Sequence, residues 1–245
     1  MDIKALIAQA EQDCAPVFKR LEENEMTCTR YVLDAFHEEN VATRHFAPTT
    51  GYGYDDIGRD TLERIFARIF GAESAIVRPS IACGTAALSL CLFGLLLPGD
   101  HLLSATGAPY DTMETVIGTV GNAPGNLREM KVEYSQVEMC DNQQKIDVDA
   151  VLSAIRPNTK VVLIQRSRGY AWRASLLPRE MEEMITAVHK VRPDIFVMVD
   201  NCYGMFTTEN EPTHFGADVC VGSLIKNAGG GLAPTGAYLV GTARA

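Results

Sequence analysis

Short apolar runs alternate with helical stretches from residue 74 onward, and this alternation constrains the fold of the 245-residue chain more than any other feature. The runs predicted to form strands are 74–78, 101–105, 131–134, 161–165, 195–200, 218–222 and 236–241. Helices are predicted between them, after Gly84 and Tyr110, near 147–155 and over 178–191. Most strand runs are apolar at every position, which is typical of strands covered on both faces. We therefore predict an α/β fold with three layers, in which helices cover a mainly parallel, mixed sheet.

The first 60 residues lack this alternation. Apolar positions at helical spacing predict two helices within residues 1–40, separated by a break at Thr27–Thr29. Residues 45–60, with the sequence HFAPTTGYGYDDIGRD, are rich in Gly, Thr, Pro and Asp and predict a long loop of the kind that often binds ligands. Asp60 is predicted to begin the next helix, over 61–70.

Composition excludes several classes of function. The net charge of −9 disfavours binding to nucleic acid or to anionic membrane surfaces. The longest apolar stretch, 86–97, is shorter than the roughly 18 residues that a membrane span needs, and no secretory signal is visible, so we expect a cytoplasmic protein without membrane contact. Seven cysteines without a C-x-x-C pair indicate free thiols, and because Cys202, His214 and Cys220 match no zinc spacing, no metal is predicted.

Residues that directly follow the strands are the candidates for chemistry, because ligands of such sheets bind beyond the carboxyl ends of the strands. After the first strand, Cys83, Gly84 and Thr85 open a helix whose N–H groups, with the Thr85 hydroxyl, can bind a phosphate. An ordinary strand-to-helix turn is the alternative, because both the phosphate-loop and the dinucleotide-binding spacings are absent.

Two charged residues follow later strands. Asp200 ends the most apolar strand, so its carboxylate needs a cationic or hydrogen-bonding partner, the alternative being a turn-capping residue. Lys226 lies between an apolar strand and three glycines and can supply the amine for a Schiff base, the alternative being a solvated loop lysine. With Tyr110 as an aromatic stacking residue and the phosphate position at Gly84, these residues match what pyridoxal phosphate requires.

Several long motifs resemble one family. The segments are HFAPTTGYGYDDIGRD, APYDTMETVIG, IQRSRGYAWRASL, VDNCYGMF and SLIKNAGGGLAPTGAY. They resemble the aluminium-resistance or methionine gamma-lyase-like proteins, a branch of the fold-type-I pyridoxal-phosphate enzymes related to cystathionine beta-lyase. The resemblance runs from about residue 30 to the last residue. It implies a cofactor-binding large domain over 45–245, after an N-terminal helical segment over 1–44, in a homodimer or homotetramer.

The resemblance also implies residue roles. Lys226 is expected to bind the cofactor aldehyde and then move the α-proton, Asp200 to pair with the ring nitrogen, and Tyr110 to stack on the ring and assist proton transfer. The other implied cofactor contacts are Gly84, Thr85 and Ser223 at the phosphate and Gln165 at the ring hydroxyl. In the long loop, Tyr54 and Arg59 are expected to reach the cofactor phosphate of a neighbouring subunit. For Arg166 and Arg168, which follow Gln165, a surface or helix-capping role is the alternative to a role in the site.

The activity that the resemblance implies is carbon–sulfur lyase chemistry on sulfur amino acids, by β- or γ-elimination. The chain ends at Ala245, so the small C-terminal domain of the family, which carries the arginine for the substrate carboxylate, is expected to be absent. With Cys83 and Met205 as further departures from the family pattern, this leaves open a cofactor-binding remnant or a fragment without turnover. A transaminase or aldolase on the same scaffold is a third possibility.

Overall fold

A computed structural model describes residues 2–52, 54, 56–227 and 229–245, and a single sheet lies at the centre of this part of the chain. Its strands are β1 (Ser74–Arg78), β2 (His101–Ser104), β3 (Glu133–Gln136), β4 (Thr159–Gln165), β5 (Phe196–Asp200), β6 (Val219–Ser223) and β7 (Ala237–Gly241). The α-helices are α1 (Ile3–Glu38), α2 (Ile57–Ile69), α3 (Gly84–Leu95), α4 (Asp111–Ile117), α5 (Val148–Ala154) and α6 (Pro178–Val191). Short 3₁₀ helices cover Thr43–Phe46 and Pro212–Phe215.

The strand order is β1-β7-β6-β5-β4-β2-β3. All pairings from β3 across to β6 are parallel, and only the two pairings of β7 are antiparallel. The prediction of a mainly parallel, mixed sheet is therefore confirmed. The central strands β5 and β6 are buried at every position, whereas the edge strands β1 and β3 contain both exposed and at least partly buried positions.

Each face of the sheet has its own apolar core. Along β5, Val197 and Val199 belong to the core under α2, α5 and α6, whereas Phe196 and Met198 belong to the core under α3 and α4. Since successive side chains of a strand point to opposite faces, an uninterrupted apolar strand fills both cores. Full burial of each such side chain contributes about 1.5–3 kcal/mol to folding. The three-layer prediction is thus confirmed, and residues 86–95 of the apolar stretch pack on the sheet as part of α3.

Two helix boundaries differ from the predictions. Helix α1 continues through the predicted break, because the Thr27 hydroxyl donates to the Glu23 carbonyl (3.1 Å) without interrupting the backbone and Cys28 is buried against the body of the protein. Helix α2 begins at Ile57 rather than at residue 61, since the Asp56 carboxylate accepts the Arg59 N–H (3.0 Å) and caps the helix earlier. Strand β3 also begins two residues later than predicted.

The strand register places the functional candidates at one edge. Gln165, the last residue of β4, pairs with Asp200, the last residue of β5, and β6 ends next to them at Ser223. No helix in the described ranges has both the length and the apolarity that a membrane span requires.

Candidate active site

A small cavity of about 30 Å³ lies beyond the carboxyl ends of β5 and β6. Four residues singled out from the sequence line it together, namely Thr85, Tyr110, Asp200 and Lys226. The remaining lining side chains are Leu88, Thr112, Met113, Ser167, Cys202 and Tyr203. Helix starts and strand ends thus bring together residues that lie up to 141 positions apart in the chain.

Asp200 is buried at the end of β5, with 8 % of its surface exposed. Its Oδ1 accepts a hydrogen bond from the Cys202 N–H at 3.0 Å. Burial raises the pKa of the Asp200 carboxyl above its usual range, while the Cys202 N–H and the positive charges of Lys226 and Arg173 oppose that shift. A buried carboxylate in this position is stabilised by any further cation or N–H donor that enters the cavity.

Lys226 follows β6 and is half-buried over an aromatic ring. Its Nζ lies 3.9 Å from the centre of the Tyr203 ring, within the range of a cation–π contact. The neighbouring Asn227 Nδ2 donates to the carbonyls of Tyr203 (2.8 Å) and Met205 (2.9 Å) and so ties the lysine segment to the turn after β5. A Cβ at Gly230 would collide with the Lys226 carbonyl, which explains why a glycine follows so closely.

The N-terminus of α3 lies against the end of β6. A Cβ at Gly84 would collide with the Cys202 sulfur and would lie 3.4 Å from the Ser223 Cβ, so only glycine permits this approach. The Ser223 hydroxyl is buried and has no hydrogen-bond partner in the described part of the chain. An unsatisfied buried hydroxyl costs about 1–3 kcal/mol, which a ligand oxygen at this position would relieve. The chemistry of the donors therefore fits a phosphate group.

Tyr110 and Gln165, the two remaining residues predicted to contact the cofactor ring, are hydrogen-bonded to each other. Tyr110 donates its backbone N–H to the Gln165 Oε1 (2.6 Å), and the Gln165 Nε2 donates to the Ser167 carbonyl (2.9 Å), so both ends of this amide are used within the protein. The Tyr110 ring stacks on Tyr170 with 5.5 Å between ring centres, and the hydrogen bond between the two hydroxyls raises the pKa of Tyr110 to about 12. The ring contacts expected of Tyr110 and Gln165 remain predictions.

Tyr54 and Arg59 lie elsewhere. The Tyr54 side chain is exposed, and the Arg59 guanidinium forms an ion pair with Asp60 (2.8 Å) beside a separate cavity of about 580 Å³ between α1, α2 and β1. That cavity is the larger one, but it contains neither the lysine nor the acid that the proposed chemistry requires. A role for these two residues across a subunit boundary stays a prediction.

Comparison with known proteins places the chain in a family. The sequence model of the family described as methionine gamma-lyase matches residues 3–245. The chain belongs to the methionine gamma-lyase family. The resemblance inferred from the sequence motifs is thereby confirmed.

Relatives of this family member share its fold closely. The uncharacterized protein YnbB of Bacillus subtilis is 50 % identical over 99 % of this chain and 58 % of its own length. The structure of a candidate cystathionine beta-lyase involved in aluminum resistance from Listeria monocytogenes has a TM-score of 0.95 and 45 % identity, over 99 % of this chain and 60 % of that one. A carbon–sulfur lyase involved in aluminum resistance from Clostridium novyi has a TM-score of 0.93 and 43 % identity, over 98 % of this chain and 57 % of that one. The chain thus spans about three fifths of the length of these relatives.

Buried arginines support the site of this methionine gamma-lyase family member, and the sequence did not single them out as buried. Arg166, for which a surface or helix-capping role was the alternative to a role in the site, is 4 % exposed and donates to the Leu176 and Gly204 carbonyls. Arg173 is 6 % exposed and donates to the carbonyls of Gln165 and Ser167. The only sequence signal is a cluster of arginines directly after a buried strand, which does not show which of them turns inward.

Proposed function

We propose that this protein binds pyridoxal phosphate at the edge formed by β5 and β6 and uses it to cleave carbon–sulfur bonds of sulfur amino acids by β- or γ-elimination. The observation that carries the proposal is the buried Ser223 hydroxyl beside the N-terminus of α3, which has no hydrogen-bond partner among the described residues and lies at the same edge as Asp200 and Lys226. Membership of the methionine gamma-lyase family supports it independently.

Each donor group then has a function. The first N–H groups of α3, at Gly84 and Thr85, and the Ser223 hydroxyl would hold the phosphate, where the helix dipole also favours a negative charge. The Asp200 carboxylate would accept a hydrogen bond from the ring nitrogen and keep that nitrogen protonated. The Tyr110 ring offers an apolar face in the same cavity.

The reaction needs an electron acceptor and a mobile proton. Bound pyridoxal phosphate withdraws electrons from the α-carbon of an attached amino acid, so that the α-proton becomes acidic and a thiol can leave from the β- or γ-carbon. Lys226 would supply the amine that binds the cofactor and, once released by the substrate amine, would accept the α-proton at Nζ. The Tyr203 ring lies 3.9 Å from this amine and packs against one side of it.

Absorption spectroscopy tests the proposal directly. The purified chain mixed with pyridoxal phosphate is expected to develop a visible absorption band that Lys226→Ala abolishes and that Ser223→Ala shifts to at least roughly tenfold higher cofactor concentration, since one hydrogen bond to a charged group contributes about 1.5–3 kcal/mol. Lys190→Ala, which removes an exposed lysine of α6, is the matched control. A missing band, or a band unchanged in Lys226→Ala, would contradict cofactor binding at this edge.

A cofactor-binding remnant without turnover is the second candidate. Cys83 occupies the cap position of α3 and makes no side-chain cap hydrogen bond, which favours weaker phosphate binding than a hydroxyl residue would give. Release of pyruvate or 2-oxobutanoate from cystathionine, cysteine or methionine distinguishes the two. Turnover that Lys226→Ala abolishes supports the lyase, whereas an absorption band without turnover supports the remnant. Amine transfer that requires a keto acid, without thiol release, would indicate a transaminase.

A further inference from the structure

The amine of Lys226 lies against an aromatic ring in a cavity that holds little water. Its Nζ is 3.9 Å from the centre of the Tyr203 ring, well inside the roughly 6 Å range of a cation–π contact. The cavity that both residues line has a volume of about 30 Å³, and about 10–15 Å³ is the smallest volume that holds one water molecule. Because so few waters fit around the ammonium, the ring supplies a substantial part of its solvation.

Other titratable groups face the same cavity. Asp200, at the end of β5, attracts the ammonium through its charge, but no carboxylate in the described part of the chain lies within ion-pair distance of it. The Cys202 thiol and the Tyr110 hydroxyl are the other titratable groups beside Tyr203 among the described lining residues. Burial raises the pKa of Cys202, and the hydrogen bond with Tyr170 raises the pKa of Tyr110 to about 12, so both groups stay uncharged near pH 9.

One side-chain amide connects the segment of Tyr203 to the segment of Lys226. The Nδ2 of Asn227, which directly follows the lysine, donates to the Tyr203 carbonyl at 2.8 Å. The turn around the tyrosine is closed by a hydrogen bond from the Gly204 N–H to the Asn201 carbonyl at 2.9 Å. The two backbone segments are therefore held at a fixed separation, which keeps the ring within reach of the amine.

We infer that the Tyr203 ring holds the amine of Lys226 in its protonated form and so sets how readily this amine reacts. The face of an aromatic ring attracts an ammonium more strongly than a neutral amine, so the contact favours the form that carries the proton. A lysine must be neutral to attack an aldehyde, whereas a lysine that accepts a proton becomes an ammonium. Tyr203 is therefore a positioning residue that slows the first step and favours the second. Its role in the reaction rests on the proposed function, although the contact itself requires no cofactor.

Trace acetylation of the full 245-residue chain, without cofactor, tests this inference. Acetic anhydride reacts with the neutral amine, so the acetylation rate of Lys226 between pH 7 and pH 10.5 follows the loss of its proton. Mass spectrometry of the peptide that contains Lys226 gives this rate, and the exposed Lys190 of α6 in the same sample is the internal reference. The midpoint of the pH profile measures protonation, whereas its upper plateau measures access of the reagent.

Tyr203→Leu, which removes the ring but keeps an apolar side chain, should move the Lys226 midpoint down by about 0.4–0.7 pH unit and raise the rate at pH 8 about two- to fivefold. Tyr203→Phe should match the wild type, since the contact requires the ring and not the hydroxyl. Because the Tyr203 side chain is half-exposed, both variants should fold. Tyr31→Leu, at an exposed tyrosine of α1, is the matched control and should leave the midpoint unchanged.

Three results would overturn the inference. If Tyr203→Leu raises only the plateau, the ring merely shields the amine from the reagent. If the midpoint rises instead of falling, the ring excludes water from the ammonium without replacing it. If Tyr203→Phe lowers the midpoint as far as Tyr203→Leu does, the effect belongs to the hydroxyl. None of these outcomes depends on the cofactor, so they are distinguishable from a missing absorption band in the test of the proposed function.

Discussion

The Asp200 carboxylate lowers the stability of the cofactor-free protein but would stabilise the cofactor-bound protein. Without a cationic ligand, its carboxylate is buried, and burial raises its pKa, so ionisation opposes folding. With a protonated ring nitrogen beside it, the same carboxylate would gain a charge-assisted hydrogen bond. A residue that lowers the stability of the ligand-free protein but is needed to bind the ligand is typical of a binding site rather than of a structural core.

Asp200→Asn separates these two effects. In the unfolded chain the carboxyl titrates near 3.9, whereas in the folded chain its pKa is higher, so the folded state retains a proton that the unfolded state has lost. The wild-type free energy of unfolding therefore decreases as pH rises through this window and remains reduced above it. Chemical denaturation of the cofactor-free proteins from pH 4 to pH 8 should show Asp200→Asn gaining stability relative to wild type as pH rises. With cofactor, the same variant should need a higher cofactor concentration to develop the visible band, because it loses the charge-assisted hydrogen bond to the ring nitrogen.

Asp194→Asn is a control in which the effect of the substitution on stability is expected to have the opposite sign. The hydrogen bonds from Arg192 lower the pKa of Asp194 to about 2, so this carboxylate adds stability above the pKa of the unfolded chain and loses it as pH falls through the lowered value. At pH 7, Asp194→Asn should be slightly less stable than wild type and should retain cofactor binding. If Asp200→Asn shows the same sign as Asp194→Asn, the assignment of Asp200 as a buried, destabilising acid is wrong.

At the scale of elements, the turn after β5 depends on one buried ion pair. Arg166 Nη1 donates to the Asn201 Oδ1 (2.7 Å) and lies 3.7 Å from the Glu211 carboxylate, which in turn accepts the Asn201 Nδ2 (2.8 Å). Arg166 also donates to the Gly204 carbonyl (2.8 Å). These bonds fix the turn that places Tyr203 under Lys226, so the network supports the site without touching the cavity.

Arg166→Met should lower the free energy of unfolding by ~3–5 kcal/mol, because it leaves the Glu211 carboxylate buried without its cation. Burial already raises the pKa of Glu211, and loss of Arg166 raises it further, so the variant can accept a proton there at low pH. The decrease in the free energy of unfolding, as measured by urea denaturation, should therefore be larger at pH 8 than at pH 5. The double variant Arg166→Met/Glu211→Gln should recover part of it, and the exposed Arg30→Met should change little.

The sequence predicted the elements of the sheet better than it predicted the helix boundaries. Continuous apolar runs identified β4 to β7 within two residues, because a strand that is buried on both faces is apolar at successive positions. Thr27–Thr29 suggested a break that tertiary contacts of Cys28 override. In the candidate site, Asp200 and Lys226 could be found since they follow such strands. The burial of Arg166 and Arg173 could not. Arg166 contacts Asn201, Gly204 and Glu211, which are distant in sequence, and Arg173 donates to backbone carbonyls, which carry no sequence signal.

At the scale of the whole molecule, the two ends of α1 have different environments. With 36 residues at 1.5 Å per residue, this helix is about 54 Å long, and every residue from 2 to 20 is exposed. The contacts with the body of the protein occur in its second half, where Asn24 donates to the Phe206 carbonyl and Cys28 and Ala35 are buried. The first half therefore contributes little to the packing that holds the sheet and the site.

Deletion of residues 2–20 is expected to leave the midpoint of thermal unfolding within roughly 2–4 °C of wild type, the shift that about 1 kcal/mol produces in a protein of this size. The deleted turns bury no side chain, and isolated helical segments of this length are marginally stable in water. The visible band with cofactor should be retained. Substitution of the buried Ala35 by Asp should by contrast lower the midpoint strongly, because it places an unpaired charge where α1 packs on the body. A large loss of stability on deletion would mean that the first half of α1 packs on this chain or on a second copy of it.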